Sequence, residues 1–212
     1  MDRKDKEKSD ILLNKFVLGI FVEEIITQCE FALMSWEYLQ ACLIKIDDNN
    51  RIFCNIQGFL VAVANISKIL VPNKEFTSRG DELRKVLQVP INSPVLIRTF
   101  RNDFEHYDER IETWASSSKR KIISDKNISV GGFSAIPNLD PTDCMRNLDI
   151  SRDRKNLTLT FHGNPYDLTM TMHAVKELMK ELESSDHIYS ELQNFIHSSV
   201  PQISPIELTL IG

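Results

Sequence analysis

The chain has no run of about 18 consecutive apolar residues, so no transmembrane helix is expected. Its opening decapeptide, MDRKDKEKSD, is charged and precedes no long apolar stretch with a small-residue cleavage site. It therefore does not read as a signal peptide, and a cytoplasmic location is the expectation. The four cysteines, Cys29, Cys42, Cys54 and Cys144, show no CxxC spacing. Free, buried thiols are expected, with neither a disulfide framework nor a zinc site. There is no excess of basic residues: the net charge is -5. That opposes broad nucleic-acid coating but leaves room for a local basic patch. No histidine stands at metal-ligand spacing from Cys, Asp or Glu, and Gly131-Gly132-Phe133 lacks the context of a phosphate-binding loop. No metal or cofactor is expected. Internal repeats and low-complexity segments are also missing.

Hydrophobic residues are plentiful, at 42% of 212 positions. A chain of this size can bury one substantial core, as a single domain with an insertion or as two small ones. Residues 1–10 and the tail 200–212 are expected to lie outside it, the first as a disordered terminus.

Helical spacing dominates the first half. Ile11, Leu12, Phe16, Ile20, Ile26, Phe31, Trp36, Leu39, Leu43 and Ile46 predict a helix over 11–46, with Asp10 as its N-cap and Asp47-Asp48-Asn49-Asn50 as its stop. Its length exceeds a small bundle's width, which suggests a partner surface. Ile56, Phe59, Leu60, Val63, Ile66 and Leu70 predict a second helix over 52–71, closed by Pro72. Gly58, Ala62 and Ala64 would let a neighbouring helix approach closely. A short helix is expected over 81–89. Ser93-Pro94 then gives a start signal, and Phe100, Phe104, Tyr107, Ile111 and Trp114 form one apolar stripe, so a helix over 94–114 follows. After Ser116-Ser117-Ser118 the character changes. Leu157–Phe161 and Tyr166–Met170 flank His162-Gly-Asn-Pro165 and predict a hairpin with a four-residue loop. Residues 121–123 and 128–130 are candidate edge strands. Val175, Leu178, Met179 and Leu182 restore helical periodicity, which extends toward Leu192 and Phe195. The fold expected is mainly α, a helical bundle over 11–118 plus 171–199 with a small β-hairpin insertion over 119–170.

The most concentrated chemistry lies in RTFRNDFEHYDER, residues 98–110. On a helix the aromatic stripe faces one way, and Arg101, Asn102, Glu105, His106 and Glu109 face the other. Arg carries a permanent charge and a planar donor fork suited to phosphate oxygens. Histidine can both take and give a proton near neutral pH. Together they could serve attack of a ribose 2′-OH on the adjacent phosphodiester, with His106 as base or acid, Arg101 stabilising the charge and Asn102 positioning. The competing reading is an ordinary charged surface, with Arg101–Glu105 and His106–Glu109 as local ion pairs. Glu23-Glu24 reads as a solvent-facing turn of the first helix. Residues 119–155 hold eight basic and five acidic residues. There Lys119, Arg120 and Lys121, with Arg152, Arg154 and Lys155, are candidate RNA-backbone contacts, or else solubilising charge.

Arg101-Asn102-x3-His106 resembles the R-x4–6-H motif of the HEPN superfamily (higher eukaryotes and prokaryotes nucleotide-binding domains). The long first helix, the bundle and the late position of the motif are similar too. The resemblance implies an antiparallel helical bundle and a homodimer with two motifs facing each other in one metal-independent ribonuclease site. It implies toxin or antiphage roles and RNA as substrate, and the missing long apolar run predicts no membrane partner. It also allows a non-catalytic interaction module with a protein partner or antitoxin. The β-containing insertion departs from the common pattern.

Overall fold

The computed structural model describes residues 3–45, 48–97, 106–119, 121–132 and 143–184, with 3–15 as backbone only. Among the described residues, five α-helices and a four-stranded sheet follow in the order α1 (Arg3–Lys45), α2 (Asn49–Leu70), α3 (Thr77–Val86), α4 (Tyr107–Ser117), β1 (Asn127–Val130), β2 (Arg146–Ile150), β3 (Leu157–Phe161), β4 (Asn164–Asp167) and α5 (Leu168–Ser184). Single 3-10 turns cover Lys74–Phe76 and Pro94–Leu96.

α1 and α2 form the spine, packed along one another. Ile25, Cys29, Ala32 and Leu39 of α1 and Phe59, Ile66 and Leu70 of α2 are completely buried. The Trp36 and Phe59 rings meet at 5.5 Å between centroids. Such side chains contribute about 1.5–3 kcal/mol each on burial. Gly58 does allow close approach: a Cβ there would stand 2.8 Å from Ser35 Oγ of α1. α1 begins at Arg3, not at Ile11, so Asp10 lies inside the helix and does not cap it. The RKDKEKSD run has no Pro or Gly to stop a helix, and Arg, Lys and Glu are good helix formers. α2 starts earlier than expected, because the Asp48 carboxylate accepts the Asn50 N–H and caps it. By length and composition α2 alone among the described residues could cross a membrane, but half of that stretch is buried inside the molecule. α3 begins four residues before Asp81.

The sheet order is β1-β2-β3-β4, with β1 parallel to β2 and the other pairs antiparallel. In β3, Leu157, Leu159 and Phe161 are buried while Thr158 and Thr160 alternate outward. Leu148, Leu157 and Leu159 join the same hydrophobic cluster as α1, α2 and α5. α5 packs on α1 through its periodic face of Met172, Val175, Leu178 and Leu182. The sheet is also tied to the start of α2: Asn49 Nδ2 donates to the Lys126 carbonyl at 3.0 Å, and Lys126 Nζ to Asn50 Oδ1 at 2.6 Å.

Four expectations change in this half. The hairpin loop has two residues, His162 and Gly163, both at positive φ (45° and 86°). That turn matches the twist of the flanking strands. Tyr166–Met170 alternates like a strand, yet only its first two residues belong to β4. Asp167 Oδ1 accepts the Met170 N–H at 2.7 Å, which caps a helix and starts α5 at Leu168. Residues 121–123 form no strand, although 128–130 fall within β1. β2 was not expected at all. Only Leu148 of its five residues is fully buried, so its apolar signal is faint. The helix expected toward Leu192 and Phe195 is described only to Ser184; those residues and the 200–212 tail lie outside the described residues.

Candidate functional site at the start of α4

The helix expected over 94–114 is not continuous. Ser93-Pro94 does begin a helical turn, but it lasts three residues, and Ile97 leaves it in an extended conformation (φ -67°, ψ 118°). The β-branched residues Val95, Ile97 and Thr99 are poor helix formers, which favours the break. α4 is a separate helix whose N-cap is His106 (φ -111°, ψ 38°). Asp108 and Glu109 occupy its first turn, where negative charge suits the helix dipole. Arg101, Asn102, Phe100 and Phe104 lie outside the described residues.

His106 therefore stands at the mouth of a helix. Its Nδ1 lies 3.1 Å from Glu109 Oε1, one turn on, and the two side chains are 50% and 65% exposed. A carboxylate on one ring nitrogen sets the tautomer and leaves Nε2 as the nitrogen that exchanges protons with a ligand. The ring can act as acid or base, and Glu109 can orient it.

Contacts at both ends hold this helix against the sheet and the segment that leads into β2. Next to His106, the Tyr107 ring meets Phe161 of β3 edge-on at 5.9 Å. The Arg146 guanidinium lies 5.3 Å from the Tyr107 centroid and 5.9 Å from that of Phe53. Asp125 grips the same guanidinium through two hydrogen bonds, 2.8 Å from Nε and 2.5 Å from Nη2. That carboxylate pushes the Arg146 pKa up. At the far end Trp114 Nε1 and Ser118 Oγ both donate to Asp143 Oδ1, at 2.9 and 2.7 Å. None of Arg146, Asp125 or Asp143 was singled out from the sequence. Their partners are 21 to 29 residues away, so no local spacing signals them.

The two basic clusters do not converge. Lys119 and Lys121 follow α4 and precede β1, and Lys121 Nζ donates to the Ala115 carbonyl; Arg120 lies outside the described residues. Arg152, Arg154 and Lys155 occupy the exposed β2–β3 turn. Because β1 and β2 are parallel, the clusters sit at opposite ends of this pair. Arg152 crosses Gly131, whose φ is +63°. The turn is ordered by Ser151, which donates to Asp153 Oδ1 at 2.6 Å and accepts the N–H groups of Lys155 and Asn156. The Ser151 hydroxyl and the Lys155 N–H hold the Asp153 carboxyl below its ordinary range.

The thiols are free. Cys29 and Cys144 are buried, Cys42 is half-buried and Cys54 is exposed, contrary to the expectation that all are buried. Burial, with Glu30 as a second cause, pushes the Cys29 thiol up to about 12. Burial also raises Cys144. Of the Glu23-Glu24 pair only Glu24 faces solvent as expected, accepting from Gln28 Nε2 at 2.8 Å, while Glu23 is half-buried. His173 is exposed on α5, His162 lies in the hairpin turn, and His187 and His197 lie outside the described residues. Among the described residues no three His, Cys, Asp or Glu side chains form a group that could hold a metal ion. A groove of about 220 Å³ between α2 and the start of α5 is lined by Leu60, Val63, Tyr166 and Met170, and includes neither His106 nor Glu109. Comparison with known proteins finds no family model, no curated protein and no solved structure that matches this chain.

Proposed function

We propose that the chain is a metal-independent endoribonuclease of the HEPN type, with a composite site across a homodimer. The observation that carries this reading is the His106–Glu109 pair: an accessible imidazole at a helix mouth with a carboxylate 3.1 Å from Nδ1. The order Arg101-Asn102-x3-His106 adds the charge and the polar group that the chemistry needs. In the reaction the ribose 2′-oxygen forms a bond to phosphorus and the bond from phosphorus to the 5′-oxygen breaks. The products are a 2′,3′-cyclic phosphate and a 5′-hydroxyl. His106 takes the 2′-OH proton, and the imidazole of the facing protomer gives a proton to the departing 5′-oxygen. Arg101 offsets the charge that builds on the non-bridging oxygens. Asn102 orients the ring or the phosphate.

The test is cleavage of structured and single-stranded RNAs in excess EDTA by wild type, His106→Ala and Arg101→Ala at matched fold and oligomeric state. Both variants are expected to lose at least about a hundredfold in rate. Unchanged cleavage by His106→Ala sinks the assignment. Absence of any wild-type cleavage favours the non-catalytic interaction module.

A further inference from the structure

α1 is apolar on two faces. One face, with Val22, Ile25, Cys29, Ala32, Trp36 and Leu39, is buried in the core. The other presents Val17, Ile20, Phe31, Met34 and Tyr38, which are 38%, 49%, 52%, 52% and 61% exposed. These five fall on the a and d positions of one heptad frame, with Glu24 and Thr27 filling the positions between. From Val17 to Tyr38 the seam runs about 32 Å along the helix. The seam is two apolar patches, Val17 with Ile20 and Phe31 with Met34 and Tyr38, separated by the polar pair Glu24 and Thr27, and exposed apolar patches of this kind mark interaction surfaces.

The charge that α1 itself carries beside the seam is of one sign, and one cation from α3, Arg79, stacks on Phe21 near its N-terminal end at 4.1 Å. Glu24, Glu30 and Glu37 are exposed, and no Lys, Arg or His occurs from Phe16 to Ile44. We propose that this seam docks a basic amphipathic helix of another protein, with apolar a and d residues on the two apolar patches and Lys or Arg facing Glu24 within the seam and Glu30 and Glu37 at its edge. A two-helix seam of this kind takes its partner preference from the flanking charges. A second copy fits less well. Antiparallel pairing about the midpoint of the stripe brings Glu24 of one copy beside Glu30 of the other, and parallel pairing stacks the two Glu24 carboxylates on each other at an a position. Residues 185–212 of the chain contain no Lys or Arg, so they do not complement the seam either. An anionic bilayer would be repelled by the same glutamates. The inference stands whether or not His106 is catalytic.

The probe is a labelled synthetic helix of about four heptads with Leu at a and d and Lys at e and g, beside its twin with Glu at e and g. Binding to the full chain is read by fluorescence anisotropy. The Lys peptide is expected to bind at least about tenfold more tightly than the Glu peptide. Combined Phe31→Ser, Met34→Ser and Tyr38→Ser should weaken the Lys peptide by at least about tenfold. Combined Glu30→Lys and Glu37→Lys should reverse the preference. All five positions are exposed, and an unchanged far-UV dichroism spectrum confirms the fold. Equal binding of both peptides, or no reversal by the charge swap, overturns the proposal. So does a wild-type dimer in sedimentation equilibrium that Met34→Glu dissolves, which gives the seam to a second copy. Flotation with phosphatidylserine vesicles that Phe31→Ser abolishes would overturn it in favour of a lipid surface.

Discussion

Trp114 and Asp143 are joined by a 2.9 Å hydrogen bond from the indole Nε1–H to a carboxylate that is only 3% exposed. Ser118 donates to the same oxygen, so one buried acceptor fastens the last turn of α4 to the segment that enters β2. Truncating it strands two donors. Asp143→Ala is expected to lose about 2–3 kcal/mol in urea denaturation, and Asp143→Asn, which keeps an acceptor, clearly less. Equal losses for the two would mean that the hydrogen bonds are not what Asp143 supplies.

The Arg146–Asp125 pair makes a second test. The side chains are 17% and 25% exposed, so the pair is partly shielded and the guanidinium cannot easily rehydrate. Asp125→Ala should cost about 1.5–3 kcal/mol. Arg146→Lys should recover little of the Arg146→Ala loss, because an ammonium cannot make the two-pronged contact or stack between Phe53 and Tyr107. On the proposed function, Asp125→Ala and Arg146→Ala also lower RNA cleavage while leaving His106 in place, since Tyr107, next to His106, is one of the two rings that the Arg146 guanidinium faces.

Glycine positions separate rigid from yielding contacts. A Cβ on Gly80 would stand 2.5 Å from Pro72 Cδ and 2.8 Å from the Leu70 carbonyl. A proline ring and a backbone oxygen cannot step aside, so Gly80→Ala should cost about 1–3 kcal/mol. At Gly58 the close atom is Ser35 Oγ, which can turn away, and alanine favours the helix by about 0.8–1 kcal/mol. Gly58→Ala is expected to be neutral or stabilising. Thermal denaturation of both variants checks the contrast; a large loss at Gly58 would contradict it.

Alkaline pH should weaken the fold. The Cys29 thiol ionises at about 12 in the folded chain, above its ordinary 9.0. Between those values the unfolded chain has given up a proton that the folded chain keeps. Stability from this group is therefore complete below pH 9 and lost as pH rises toward 12. Cys144 acts in the same direction. Denaturation midpoints from pH 8 to about pH 11 should fall less steeply for Cys29→Ala than for wild type. At neutral pH a thiol reagent should label Cys54 first and Cys29 only on unfolding.

The local rules of the chain were readable from its residues. Periodicity of 3.6 located α1, α2 and α5, because each buries a face against a neighbour, and Pro72 and the Ser93-Pro94 pair marked real boundaries. Alternation located β3. The R-N-x3-H order drew attention to His106. What those rules could not give came from partners distant in sequence. α4 begins at His106 because Tyr107, Trp114 and Ser118 find Phe161, Arg146 and Asp143, and an aromatic stripe cannot show which surface it will meet. β2 exists because β1 and β3 bond to it on both sides, although its own residues are mostly polar. The second face of α1 reads as core by periodicity alone. Only the packed molecule leaves Val17, Ile20, Phe31, Met34 and Tyr38 exposed among the described residues, because one helix seen from within its own sequence does not reveal how many neighbours it has.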